Sequence, residues 1–129
     1  KPSLDRFLAG REQFVTHCAA CHQDHGRGIP GAYPPLAGSS WVTGDPRRPM
    51  RIALHGLQGE IDVDGVRYTG AMARLGPLLD DRELADLLTY VRNAWGNQAA
   101  AVAPEAVATE RAASPGRQRP WTAAELDSN

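Results

Sequence analysis

Leu4, Phe7, Leu8, Phe14, Val15 and Cys18 recur at helical spacing and predict a helix over residues 4–20 with one apolar face. Ile52, Ala53 and Leu54 predict a short second helix over 49–56, stopped by Gly56. The clearest pattern is LLDDRELADLLTYVRNAWGN at 78–97. There Leu84, Leu87, Leu88, Val91 and Trp95 form one stripe, Asp80 and Glu83 make a capping box, and Gly96 supplies the stop. Before it, EIDVDGVRYTG at 60–70 alternates on both sides of Asp64-Gly65 and predicts a hairpin. Asp62, Asp64 and Gly65 faintly resemble a calcium loop, but the glutamate that should close it is missing. Residues 23–44 read as a loop rich in Gly and Pro, long enough to be expected to enclose something.

The pattern changes after Asn97. Residues 98–129 are alanine-rich, interrupted by Pro104, Pro115 and Pro120, and lack Ile, Phe, Met and Tyr. We therefore divide the chain into a folded domain at 1–97 and an Ala/Pro-rich extension at 98–129. The extension cannot build a core alone, so it packs on the domain, docks on a partner or stays mobile. Pro104 is placed to open a helix reaching Arg111, and Thr122 with Glu125 forms a capping pair. Trp121 is the expected anchor, because a fully exposed indole would waste a large apolar area.

Composition adds one demand. Of 129 residues 42% are hydrophobic, but 20 of these are alanine and only 6% of the chain is aromatic, so a bound group or staple is expected to complete the core. A formal charge of −1 gives no case for nucleic acid or an anionic membrane surface, and there is no apolar run of transmembrane length. The first residue is Lys1 rather than Met, which fits a trimmed product and an arbitrary boundary equally well.

The candidate chemistry lies in HCAACHQDH at 17–25, which holds both cysteines of the chain and three of its four histidines. Structural zinc is disfavoured, because every candidate ligand crowds one segment and there is no second cysteine pair. A dithiol redox site needs a strand before the motif, where the pattern is helical. A Cys18–Cys21 disulfide would close too small a loop to stabilise much. Cys-x-x-Cys-His is also the attachment signal for haem c, although five residues alone occur by chance fairly often. His17 and His25 are expected to face solvent, and His55 to end a helix.

Separated features then resemble the class I c-type cytochromes over residues 4–97. Gly10 and Phe14 precede the first cysteine at that family's spacing, and Leu87 and Tyr90 match its helix-crossing partners. YPPLAG supplies Pro34, Leu36 and Gly38 of its loop, and Met72 stands shortly before the last helix. The family's frequent Met-Pro pair is absent, since Ala73 follows Met72. The resemblance implies a mostly α, class I cytochrome c fold: three main helices around a covalent haem, a small hairpin and an extended C-terminal tail. It implies one haem c, attached at Cys18 and Cys21, with His22 and Met72 as axial ligands. The carbonyl of Pro34, or alternatively Pro35, would accept from His22. Leu36 would lie near the haem, Trp41 and Tyr68 would line it, bond a propionate or else serve the ordinary core, and Arg51 would pair with a propionate or remain solvated. Met50, the other methionine, is assigned to packing.

The implied activity is electron transfer without catalysis, with a periplasmic dehydrogenase or terminal oxidase as partner and a bacterial periplasm as location. The competing class is a haem enzyme or gas sensor with a displaceable sixth ligand. Ligation draws only on residues before Asn97, so removing the extension is expected to leave the ligand set intact.

Overall fold

Ser3 accepts a hydrogen bond from the Arg6 amide and opens helix α1 (Leu4–His17) in a computed structural model that describes residues 2–128. The helix expected over 4–20 is divided at Cys18, whose φ of −125° leaves the helical path. The amides of Cys21 and His22 both return to the Cys18 carbonyl and start a new turn, α2 (Ala19–His22). The inward face of α1 is also narrower than the periodicity suggested. Phe14 and Cys18 are buried, whereas Leu4, Leu8 and Val15 are 69%, 46% and 56% exposed. The reason is Gly10. A Cβ there would fall 2.0 Å from the Asp86 carbonyl oxygen, so α1 crosses its partner helix at backbone contact and its flanks stay outside.

That partner is α5 (Asp81–Val91), which starts on the expected capping box. The Asp80 carboxylate accepts from the Glu83 amide at 2.8 Å, and the Glu83 carboxylate from the Asp80 amide at 3.0 Å. Tyr90 stacks at a tilt on Phe7 and Phe14, with centroids 4.8 and 5.6 Å away, and Trp95 meets Phe14 edge-on at 5.1 Å. The helix ends at Val91, short of Gly96. Asn97 explains this, because its side-chain amide donates to the Val91 carbonyl at 2.8 Å and occupies an acceptor that a further turn would use.

Between these helices lie α3 (Ser40–Thr43) and α4 (Arg47–His55). Helix α4 begins two residues ahead of expectation, where the Asp45 carboxylate accepts from the Arg47 amide. The expected hairpin is present as β2 (Ile61–Val63) and β3 (Val66–Tyr68), with Asp64 and Gly65 at φ of 53° and 82°. Asp62 serves this turn by accepting from the Gly65 amide. Outside it, β1 (Leu57–Gln58) pairs antiparallel with β4 (Ala71–Met72), Leu57 facing Met72.

The extension packs on the preceding residues through α6 (Pro104–Ala113) and α7 (Ala123–Ser128). Pro104 opens the first, and Thr122 and Glu125 cap the second reciprocally. Val102, Val107, Trp121 and Leu126 are buried. Val107 joins the main core where α6 lies on α5 and α4, while Trp121 and Leu126 join Leu57, Ile61, Val63 and Tyr68 in a second cluster. Met72 packs against both. Among the described residues no helix is long and apolar enough to cross a membrane.

Candidate functional site

The loop after α2 is folded back on itself by backbone bonds. The amides of Leu36 and Ala37 both donate to the Gly26 carbonyl, and the Gly28 amide donates to that of His22. Gly28 has a φ of +64° and lies against the next strand of loop, where a Cβ would sit 2.7 Å from the Pro34 carbonyl oxygen. Only glycine allows this approach. Its consequence is a hydrogen bond of 2.8 Å from His22 Nδ1 to the Pro34 carbonyl. Pro35 lines the adjacent wall but does not supply the acceptor.

A carbonyl can only accept, so this bond fixes the proton on Nδ1 and leaves Nε2 with its lone pair. Burial lowers the pKa of His22, against a smaller opposing effect of the Pro34 bond, so the imidazole is neutral at pH 7. That is the form that ligates a metal.

His22 and Cys18 line an apolar cavity with an open mouth. Pro34, Pro35 and Leu36 form one wall. Trp41 and Val42 of α3, Ile52 and Ala53 of α4, and Leu87, Leu88 and Val91 of α5 supply others. Leu57, Ile61, Val63 and Met72 come from the strands. An imidazole and a thioether residue therefore stand in the walls of a space whose lining is otherwise almost wholly apolar. This donor set and lining fit a planar, largely apolar macrocycle holding iron.

Burial, with a further contribution from Cys21, pushes the Cys18 thiol up to about 12. A cysteine protonated at pH 7 is a poor redox nucleophile, which further disfavours dithiol chemistry. Cys21 lies one turn on, exposed, and is not part of the cavity wall. Met72 is half-buried on β4. Behind it, Gly56 ends α4 at φ +86°, where a Cβ would lie 2.5 Å from the Met72 carbonyl oxygen. Met50 is 3% exposed in the main core and does not line the cavity.

Trp41 lines the cavity, and its Nε1 donates to the Asp62 carbonyl at 3.1 Å, tying α3 to the hairpin. Tyr68 takes the ordinary core alternative: it is buried in the second cluster with Trp121 and Leu126 and is not among the residues that line the cavity. Arg51 is likewise neither solvated nor turned to the cavity. Its Nε meets Glu110 of α6 at 2.7 Å, because the packed extension covers it. His25 is exposed as expected, His17 is half-buried, and His55 is buried at the end of α4.

Arg92 escaped the sequence reading. It is 3% exposed and donates to the carbonyls of Ala100, Val42 and Gly44 at 3.0, 2.8 and 3.0 Å, holding the Val42 wall against α5. No local pattern marks it, since its acceptors are backbone atoms distant in sequence.

The sequence model of the family described as Cytochrome c matches residues 7–95. Cytochrome c-552 of Thermus thermophilus is 43% identical over 89 residues, covering 66% of this chain and 67% of that protein. The cytochrome c subunit of alcohol dehydrogenase (quinone) from Gluconobacter oxydans is 34% identical over 93 residues, 70% of this chain but 19% of the subunit. The fructose dehydrogenase cytochrome subunit of Gluconobacter japonicus is 31% identical over 126 residues, 92% of this chain and 24% of the subunit. The chain thus spans about two thirds of the first relative and a fifth to a quarter of the dehydrogenase subunits. Because the match takes in the glycine-mediated helix crossing, the His22 loop and the Met72 strand together, this chain belongs to the cytochrome c family.

Proposed function

We propose that this chain transfers electrons through a single haem c, attached at Cys18 and Cys21 and ligated by His22 and Met72. The observation that carries the reading is His22, locked through Nδ1 on the Pro34 carbonyl in the same apolar cavity as the Met72 thioether. The haem supplies the one-electron couple. The Pro34 bond holds the imidazole plane and raises its basicity as a ligand. Met72 is the softer ligand and favours the ferrous state, raising the potential. The apolar walls, Leu36 and Trp41 among them, keep water from the site and work in the same direction. Residues 1–97 form the haem-holding unit and 98–129 its extension.

With His22 and Met72 both holding the iron, the site would exchange electrons and bind little else. A redox enzyme is the partner this suits, and a periplasmic dehydrogenase is favoured over a terminal oxidase because relatives include cytochrome subunits of dehydrogenases. The location that follows is a bacterial periplasm. An absorption spectrum of the reduced protein, recorded before and after adding carbon monoxide, tests the reading. It is expected not to change. Stoichiometric carbon monoxide binding by the unmodified protein would instead support a gas sensor or haem enzyme.

A further inference from the structure

The family match ends at residue 95, but the support of the Met72 strand does not. The Trp121 amide donates to the Gly56 carbonyl at 2.9 Å, and the Trp121 carbonyl accepts from the Gln58 amide at 2.9 Å. Trp121 thereby runs parallel beside Leu57, whose other edge pairs with Met72. The order across this small sheet is Trp121, Leu57, Met72. On their own β1 and β4 pair through only two residues, a marginal sheet. Past Met72 the chain is tied to α4 by the Leu75 and Gly76 amides on the Ala53 and Leu54 carbonyls; Trp121 adds the third strand on the other edge.

Trp121 is itself held independently of the haem cavity. The Arg117 guanidinium lies 3.7 Å from its ring centroid and donates to the Pro120 carbonyl and to Glu125, each at 3.1 Å. Its buried Nε1 finds no hydrogen-bond partner among the described residues, so backbone bonds and ring packing do the holding.

We infer that Trp121 is a positioning residue for the sixth ligand: the extension adds a strand to β1 and so keeps β4, with Met72, on the iron. This rests on Met72 being that ligand. It revises the expectation that ligation depends only on residues before Asn97.

The test compares holoprotein carrying Trp121→Ala, Trp121→Phe, Arg117→Ala and Met72→Ala with the unmodified chain. All are measured at a temperature where circular dichroism shows each to be folded. Carbon monoxide affinity of the reduced form and the reduction potential are the readouts. Trp121→Ala is expected to bind carbon monoxide at least tenfold more tightly than the unmodified protein and to have a lower potential. Both substitutions keep the main-chain amide and carbonyl at 121, but only Trp121→Phe keeps a large buried ring to hold them beside Leu57, so it should stay close to the unmodified protein. Arg117→Ala should shift both readouts less, in the same direction, and it decides the matter if Trp121→Ala yields no folded holoprotein. A Trp121→Ala protein that melts earlier but keeps the original potential and excludes carbon monoxide would overturn the inference and leave Trp121 a structural anchor. Met72→Ala separates the two levels, because failure of that variant to bind carbon monoxide would overturn the ligand assignment itself.

Discussion

Met72→Ala is expected to retain covalent haem while binding carbon monoxide and cyanide readily, with a reduction potential well below that of the unmodified protein. Removing the thioether opens one axial position and takes away the ligand that favours ferrous iron. Met72 is half-buried at the cavity and packs on both apolar clusters, so its loss costs some packing but less than that of a fully buried methionine. Met50→Ala should give the opposite profile. Met50 is 3% exposed in the main core, and truncating such a side chain costs about 2–5 kcal/mol with no effect on the axial position. Redox titration, ligand-binding spectra and thermal melts of the two variants distinguish these outcomes. The reversed pattern would show that Met50 is the ligand.

A chain ending at Asn97 is expected to melt far below the full-length protein. Truncation removes Val107, which is fully buried, together with Val102, Trp121 and Leu126, each at most 7% exposed. Burying an aliphatic side chain of this kind contributes about 1.5–3 kcal/mol, and losing a buried tryptophan costs about 3–5 kcal/mol. The freed conformational entropy of the extension offsets part of this. Polar groups also suffer. Arg51 loses Glu110, Asp81 loses Arg111, and Thr89 loses the Val102 amide that it accepts at 2.9 Å. A net loss of only a few kcal/mol would lower Tm by more than about 10 °C in a domain of this size. Circular dichroism melts of both chains at one pH check this, and equal Tm values would mean that the extension stabilises nothing.

Much of the framework was legible because its signals are local. The Asp80–Glu83 capping box, the Asp64-Gly65 turn, the proline opening α6 and the Thr122–Glu125 cap each need only neighbours in sequence to operate. The bond from His22 to Pro34 was legible only through family resemblance, because the loop between them has no periodicity. Other features depend on tertiary partners. Periodicity offered Leu4, Leu8 and Val15 to the core, but the side that packs was chosen by the bare backbone at Gly10. The end of α5 was set by the side chain of Asn97, and the fate of Arg51 by a glutamate 59 residues away. Val102 and Val107 stand in an alanine-rich stretch with no periodicity to mark them, yet both are buried.

Covalent attachment at Cys18 and Cys21 is what separates a haem c carrier from every other use of this motif. Intact mass under denaturing conditions, recorded on protein already extracted with acid and acetone, measures it directly. A mass one haem above that of the polypeptide, with the colour still in the protein fraction, is the expected result. Haem that leaves with the solvent, or a mass equal to the bare chain, would contradict it.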